Sequence, residues 1–196
     1  MLYTENLILR KAQESDLYDI FNNIWSDKNI YENMFFKPTT NIEEALERLN
    51  RTIEYQNNNY AYFICYNNEV IGFTGITYKK PQIYEETGIC IASKYQGNGF
   101  GNEVLTLLKK LIFEELNGKV FLYYFINSNI KSKRLCLKQG FKYLESKKIM
   151  LKNALSELLW IYQVQTNVVS WLRERGNDIW DKWAVDSDGI YRVYEA

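Results

Sequence analysis

The feature that most constrains this chain is a strand that runs into a glycine-rich turn and leaves it as a helix. Residues 86–92, Glu-Thr-Gly-Ile-Cys-Ile-Ala, alternate as a strand does. They continue through Ser93-Lys94-Tyr95 into Gln96-Gly97-Asn98-Gly99-Phe100-Gly101. From there the spacing of Val104, Leu105, Leu108, Leu111, Ile112 and Leu116 predicts a helix over 101–116. Residues 120–126, Val-Phe-Leu-Tyr-Tyr-Phe-Ile, are apolar on both faces and read as a central strand. A strand, a helix and a second buried strand in that order require a crossover, hence a parallel pair inside a sheet.

The surrounding segments predict mostly antiparallel pairing. Residues 6–11 read as a first strand, and Ser15 as the cap of a helix through residue 26. Thr40 and Glu43 suggest a capping box. It opens a helix whose apolar face is Ile42, Ala45, Leu46, Leu49 and Ile53. Residues 60–66 and 70–78 read as a hairpin around Asn67-Asn68-Glu69, with Gly72 and Gly75 marking bulges or close backbone approach. A helix near 129–138 ends at Gly140, and strands follow at 141–152 and 157–164. The predicted class is α/β of the mixed α+β kind, a mixed sheet with helices on both faces. The expected domain is 1–165. Residues 166–196, with Trp171, Trp180 and Trp183, read as a C-terminal helix and an aromatic extension that packs on the core or at an interface.

Composition removes several chemistries. There is no His in the 196 residues, which excludes Ser-His-Asp triads, His-ligated metals and imidazole bases. Cys65, Cys90 and Cys136 form no Cys-x-x-Cys pair and read as small core residues, so no metal site is expected. No apolar run approaches the ~20 residues of a membrane span, and no signal segment is visible, so a cytoplasmic protein without membrane contact is expected. The net charge is zero, yet residues 103–152 hold eleven Lys or Arg against four Asp or Glu. That basic third is either a solvated helix face or a local anion site.

Three glycines at 97, 99 and 101 allow tight turning and close approach by a ligand, while a helix N-terminus presents free N–H groups to an anion. The same run serves equally as a turn without a ligand. It is not a Walker P-loop, since no Lys follows, and the third glycine of the dinucleotide fingerprint falls on Asn102.

Gln96-Gly97-Asn98-Gly99-Phe100-Gly101 resembles the pyrophosphate loop, Gln/Arg-x-x-Gly-x-Gly/Ala, of the GNAT N-acetyltransferases. Asn129-x-x-Ser132 followed by Gln139-Gly140-Phe141 is similar to a second segment of that family. So are Leu7-Ile8-Leu9-Arg10 and Val70-Ile71-Gly72. Glu86-x-Gly88-Ile89 resembles a strand of its ribosomal-protein N-terminal branch. The resemblance covers about residues 5–165. It implies a central, mostly antiparallel sheet splayed between strands 86–92 and 120–126, and acetyl-CoA as acetyl donor. It implies a pantetheine arm bonded along Ile89 and Ile91, a pyrophosphate on the N–H groups of Gln96, Gly97, Asn98, Gly99, Phe100 and Gly101, and contacts from Asn129 and Ser132. Lys131 and Lys133 are within reach of phosphates on this reading, and a backbone N–H near Ile91 would hold the thioester oxygen.

The implied reaction is direct transfer to a primary amine, on a protein N-terminus or a small molecule. The amine must lose a proton, and Glu86 is the expected base, with Glu85 pointing the other way. The helices at 16–26 and 41–57 are expected to shape the acceptor pocket, with Trp25, Asp27, Tyr31, Glu32, Phe35 and Phe36 on offer. Cys136 stands where many relatives carry a general-acid Tyr, and Tyr143 is a candidate replacement. That departure leaves a second reading, a non-catalytic acyl-CoA-binding or interaction module. Nucleic-acid binding is not expected, since the aromatic strand 120–126 reads as buried. The aromatic tail permits a homodimer.

Overall fold

The computed structural model describes residues 1–31, 37–150, 156–165, 183–185 and 191–193. It separates into two units, residues 1–164 and 165–196.

The first unit is built on one sheet. Its strands are β1 (Leu2–Tyr3), β2 (Ile8–Arg10), β3 (Tyr60–Tyr66), β4 (Glu69–Lys80), β5 (Ile83–Ile91), β6 (Val120–Ile126), β7 (Lys142–Met150) and β8 (Ser156–Gln165). They lie in the order β1-β2-β3-β4-β5-β6-β8-β7. β5 and β6 are parallel, while the flanking ladders for which pairs are seen run antiparallel. The helices are α1 (Leu17–Ile20), α2 (Lys28–Tyr31), α3 (Ile42–Asn58), α4 (Phe100–Lys110) and α5 (Ile130–Lys138). α1 runs on into a π-helical turn at Phe21–Trp25, and α4 into another at Leu111–Glu115.

Two cores cover the two faces of the sheet. Leu105, Leu108 and Ile112 from α4 pack with Ile64, Phe121, Tyr123 and Phe141 on one side. Ile20, Ile24 and Trp25 pack with Ala45 and Leu49 of α3 and Phe63 of β3 on the other. Helices on both faces and the mixed sheet are therefore as the patterning requires. The three cysteines are buried.

Several local expectations shift. Asn41 caps α3, its side chain accepting from Glu44 N–H at 2.8 Å, and the Glu44 carboxylate returns to Thr40. The capping box thus sits one residue later than the Thr40–Glu43 reading. Leu46 is 44% exposed and is not on the buried face of α3, which continues instead through Gln56. Gln13 and Asp16, not Ser15, open the first helical segment. β4 and β5 also run further than expected. They meet in a hairpin at Pro81-Gln82, where Gln82 takes φ 65°. The Asn67-Asn68 turn, φ 48° and 66°, has the left-handed pair that a two-residue hairpin demands.

Gly72 and Gly75 mark close approach. A side chain at Gly72 would overlap the Cys90 carbonyl, and one at Gly75 would meet Thr87 Oγ1 at 2.7 Å. Opposite Gly75, β5 carries an extra residue between Glu86 and Ile89. This bulge re-aims β5 just before the glycine loop. Beside it, Thr74 Oγ1 is buried without a partner among the described residues. An unbonded buried hydroxyl is unfavourable, so Thr74→Val should raise stability by about 1 kcal/mol in chemical denaturation. A loss of that size would mean the hydroxyl is bonded after all.

The second unit contains the antiparallel pair β9 (Trp183–Val185) and β10 (Tyr191–Val193). The C-terminal helix expected after residue 165 lies outside the described residues. No described helix is long and apolar enough to cross a membrane.

Candidate active site

β5 and β6 begin as a parallel ladder and then part. The paired positions are Ile83↔Val120, Tyr84↔Phe121 and Glu85↔Leu122, and the register ends there. Beyond Glu85, β5 stays paired with β4 through Ile91. The β5 edge that carries Ile89 and Ile91 thus faces an opening between the strands.

Glu86 stands where the strands diverge. Its carboxylate accepts the backbone N–H of Gly88 on its own strand and that of Tyr124 on β6. It therefore spans the gap where strand-to-strand bonds stop. Burial pushes its pKa up to about 7, with those two hydrogen bonds pulling down and the neighbouring Glu85 charge pushing further up. A carboxyl poised there can exchange a proton near neutrality. Glu85 lies on the opposite face, bridged to Lys79 at 3.1 Å and accepting Tyr124 Oη at 2.8 Å.

At the far end of β5, the glycine loop feeds α4. Gly97 and Gly99 take φ 89° and 84°, and Gly99 is the N-cap of α4. Nothing lies within 4 Å of where a side chain would start at either glycine, so backbone conformation alone demands them. Gly101 has a different reason, since a Cβ there would come 3.1 Å from Leu135 Cδ2 on α5. Phe100 is 6% exposed and stacks near Tyr66, so only its backbone can serve a ligand. Gln96 binds the Ile91 carbonyl at 2.9 Å and receives Lys131 Nζ at 2.8 Å, tying the loop to α5. Asn98 holds the Tyr95 carbonyl.

Asn129 caps α5 by accepting Ser132 N–H at 3.0 Å, and Ser132 Oγ lies 2.8 Å from Tyr123 Oη. Cys136 is fully buried; burial and the Glu86 charge push its thiol up to about 12, so it is a poor proton donor. Tyr143 is on the outer strand, 52% exposed, its hydroxyl beside Ser146. The tyrosine that shares the Glu86 surroundings is Tyr123, whose acidity is lowered by burial and then by that charge. Nothing in the alternating aromatics of 120–126 singled it out.

The residues expected on the acceptor side fall in different surroundings. Trp25 is a core residue with the Arg48 guanidinium 4.5 Å above its ring. Asp27 accepts the Ser93 hydroxyl. Glu32, Phe35 and Phe36 lie outside the described residues. A surface depression of about 430 Å³ lies over α3, among Lys37, Thr39, Arg48, Arg51 and Tyr55. It contains none of the motif residues, whereas Glu86, the loop and α5 border the opening between β5 and β6, which is the candidate site.

A model of the acetyltransferase (GNAT) domain family matches residues 6–142, well over half of the chain. The chain belongs to the GNAT acetyltransferases. The matched region contains the splayed strands, the loop, Asn129 and Gly140-Phe141. A thymidylate synthase family model also matches, over residues 124–196. That is less than half of the chain, and its first part takes in the end of β6, helix α5, and strands β7 and β8 of the first unit. Among solved structures, a GNAT-family acetyltransferase from Bacillus anthracis superposes with a TM-score of 0.72 at 18% identity, covering 84% of this chain and 97% of that one. The microcin C7 self-immunity acetyltransferase MccE, solved with acetyl-CoA and AMP, gives 0.74 at 19%, covering 83% and 94%. RimL, the ribosomal L7/L12 alpha-N-protein acetyltransferase solved with coenzyme A, gives 0.72 at 19%, covering 84% and 96%. At such identities these likenesses establish the GNAT fold.

Proposed function

We propose that this GNAT protein moves an acetyl group from acetyl-CoA to a primary amine by direct transfer in a ternary complex, with Glu86 as the base. The observation that carries the reading is the Glu86 carboxylate, held by N–H groups of both strands where β5 leaves β6. The amine is part of a protein N-terminus or a small molecule, and the likeness to RimL favours the first.

The residues present fit the donor. The left-handed Gly97 and Gly99 leave open space above the loop, and the α4 N-terminus adds free N–H groups and a positive dipole end for a pyrophosphate. The edge of β5 at Ile89 and Ile91 offers ladder groups to an amide-bearing arm. Asn129 fixes the start of α5, while Lys131 and Lys133 bring positive charge. Acetyl-CoA supplies an acyl group activated as a thioester. Glu86 must be ionised to take the amine proton, and its raised pKa leaves it a base that also releases that proton readily. A backbone N–H of β5 near Ile91 stabilises charge gathering on the thioester oxygen.

The test is turnover against a panel of primary amines: N-terminal peptides, polyamines and amino acids. Thiol release is followed together with a mass gain of one acetyl group on the acceptor. The expected result is amine-dependent release with matching acetylation; release without an acetylated amine contradicts direct transfer.

A further inference from the structure

Gln96, Gly97, Asn98 and Gly99 are all exposed, and the two glycines among them are left-handed. A stretch so rich in glycine has little conformational preference of its own, so its shape has to be imposed from outside. One hairpin reaches both of its ends. Tyr95 precedes the loop and Phe100 follows it, and both rings pack on Tyr66 at the end of β3, with centroids 5.9 and 4.9 Å away. Tyr66 pairs across the Asn67-Asn68 turn with Glu69, the first residue of β4. The Glu69 carboxylate turns to the same place. One oxygen accepts the Tyr95 hydroxyl, while the other accepts Lys94 Nζ at 2.7 Å and Asn23 Nδ2 at 2.9 Å. The Tyr95 carbonyl in turn accepts Asn98 Nδ2 at 3.1 Å, inside the loop. A chain of bonds thus runs from the hairpin through Tyr95 to the loop. Burial pushes the pKa of Glu69 up, but the bonds from Lys94, Tyr95 and Asn23 outweigh it and bring the group down to about 2. Glu69 is therefore ionised at neutral pH, and its bonds are of the stronger, charge-assisted kind.

We propose that Glu69 is a positioning residue for the donor: acting through Tyr95, it holds the glycine loop in the shape that receives the pyrophosphate. The inference rests on the acetyl-CoA reading above and adds to it a residue from outside the loop and its two flanking elements. Glu69 takes no part in the transfer itself. Its effect is to pre-organise N–H groups that would otherwise have to be ordered when the anion binds. A residue that merely stabilised the β3–β4 hairpin would affect every ligand of the site alike. A residue that shapes the loop affects only ligands that carry a pyrophosphate.

The experiment compares affinities for acetyl-CoA and for S-acetyl-pantetheine, which has the acyl arm without pyrophosphate or nucleotide. The proteins are the wild type, Glu69→Gln, Tyr95→Phe and the double variant. Glutamine keeps the size of the side chain but leaves one oxygen for three donors. Glu69→Gln should weaken acetyl-CoA binding by about tenfold and leave S-acetyl-pantetheine unchanged. Tyr95→Phe keeps the ring on Tyr66 and loses one bond, so it should weaken acetyl-CoA by about threefold. In the double variant the second change should add little, because both remove the same link. Acetyl-CoA affinity that Glu69→Gln leaves intact overturns the inference, as does an equal loss for both ligands or full additivity in the double variant. A wild type that does not bind acetyl-CoA overturns the donor reading and this inference with it, whereas a binding wild type with an unaffected Glu69→Gln overturns this inference alone. If Glu69→Gln does not fold, Tyr95→Phe carries the test, and equal affinities for it and the wild type contradict the proposal.

Discussion

Glu86→Gln is expected to lower kcat by about 100- to 10,000-fold, the range a positioned general base contributes. Affinity for acetyl-CoA should stay within about threefold, because the amide oxygen can still accept an N–H at the strand divergence and the loop is untouched. In the wild type, kcat/KM should rise with pH along a limb centred at about 7, since only the ionised carboxylate takes a proton. The variant should lack that limb. Stability moves the other way. A carboxyl whose folded pKa is raised from 4.5 to about 7 favours folding fully below 4.5, and that contribution is lost as pH rises through 7. Glutamine carries no such dependence. The variant should therefore melt at or above the wild type above pH 7, with the difference closing towards pH 4.5. Lost turnover in a protein that melts no lower separates a missing base from a damaged fold. Retained turnover would remove Glu86 from the mechanism.

Gly99→Val should weaken acetyl-CoA binding by about 10- to 100-fold. Gly99 takes φ 84° at the N-cap of α4, with open space where a side chain would stand. The obstacle is therefore conformational. A β-branched residue in the left-handed region costs about 1–3 kcal/mol, and each 1.4 kcal/mol is tenfold in an equilibrium constant. The loop relieves that strain by turning its N–H groups away from the anion. Gly101→Ala should be milder, because its Cβ meets the movable Leu135 Cδ2 at 3.1 Å. Its effect should appear in melting temperature before it appears in affinity. Calorimetric titration of both variants checks the ranking, and equal affinities for Gly99→Val and wild type would mean the loop does not bind the donor.

The sequence alone reaches only part of this site. Local chemistry reads well: the glycines of the loop, Asn129 as a cap, Gly140 ending α5, and both-face burial of 120–126 are short-range consequences of backbone conformation and apolar periodicity. The cap of α3 lies one residue beyond the Thr40 that the sequence suggests because Thr40 and Asn41 are both good caps, and only the entry angle of the chain decides between them. Leu46 falls on the apolar stripe by spacing yet is exposed, because periodicity cannot tell a stripe's centre from its margin. The Pro81-Gln82 hairpin is not legible in the sequence because it lacks the usual glycine or asparagine and puts a glutamine at positive φ. The Tyr123–Ser132 pair and the hold of Tyr124 N–H on Glu86 are contacts between β6 and its neighbours, set by packing across the sheet. No spacing within one segment reports them. Burial around Glu86 is likewise a property of the assembled strands, although the residue itself was identifiable from its place before the loop.

The central claim is that the opening between β5 and β6 takes acetyl-CoA. A thermal-shift titration with acetyl-CoA, with NADH and ATP as controls, tests it most directly. A ligand at 100 times its Kd adds about 2.7 kcal/mol to stability. The account predicts a saturable rise with acetyl-CoA that the controls do not match and that Gly99→Val shifts to higher concentration. No rise with acetyl-CoA, or an equal rise with ATP, would contradict it.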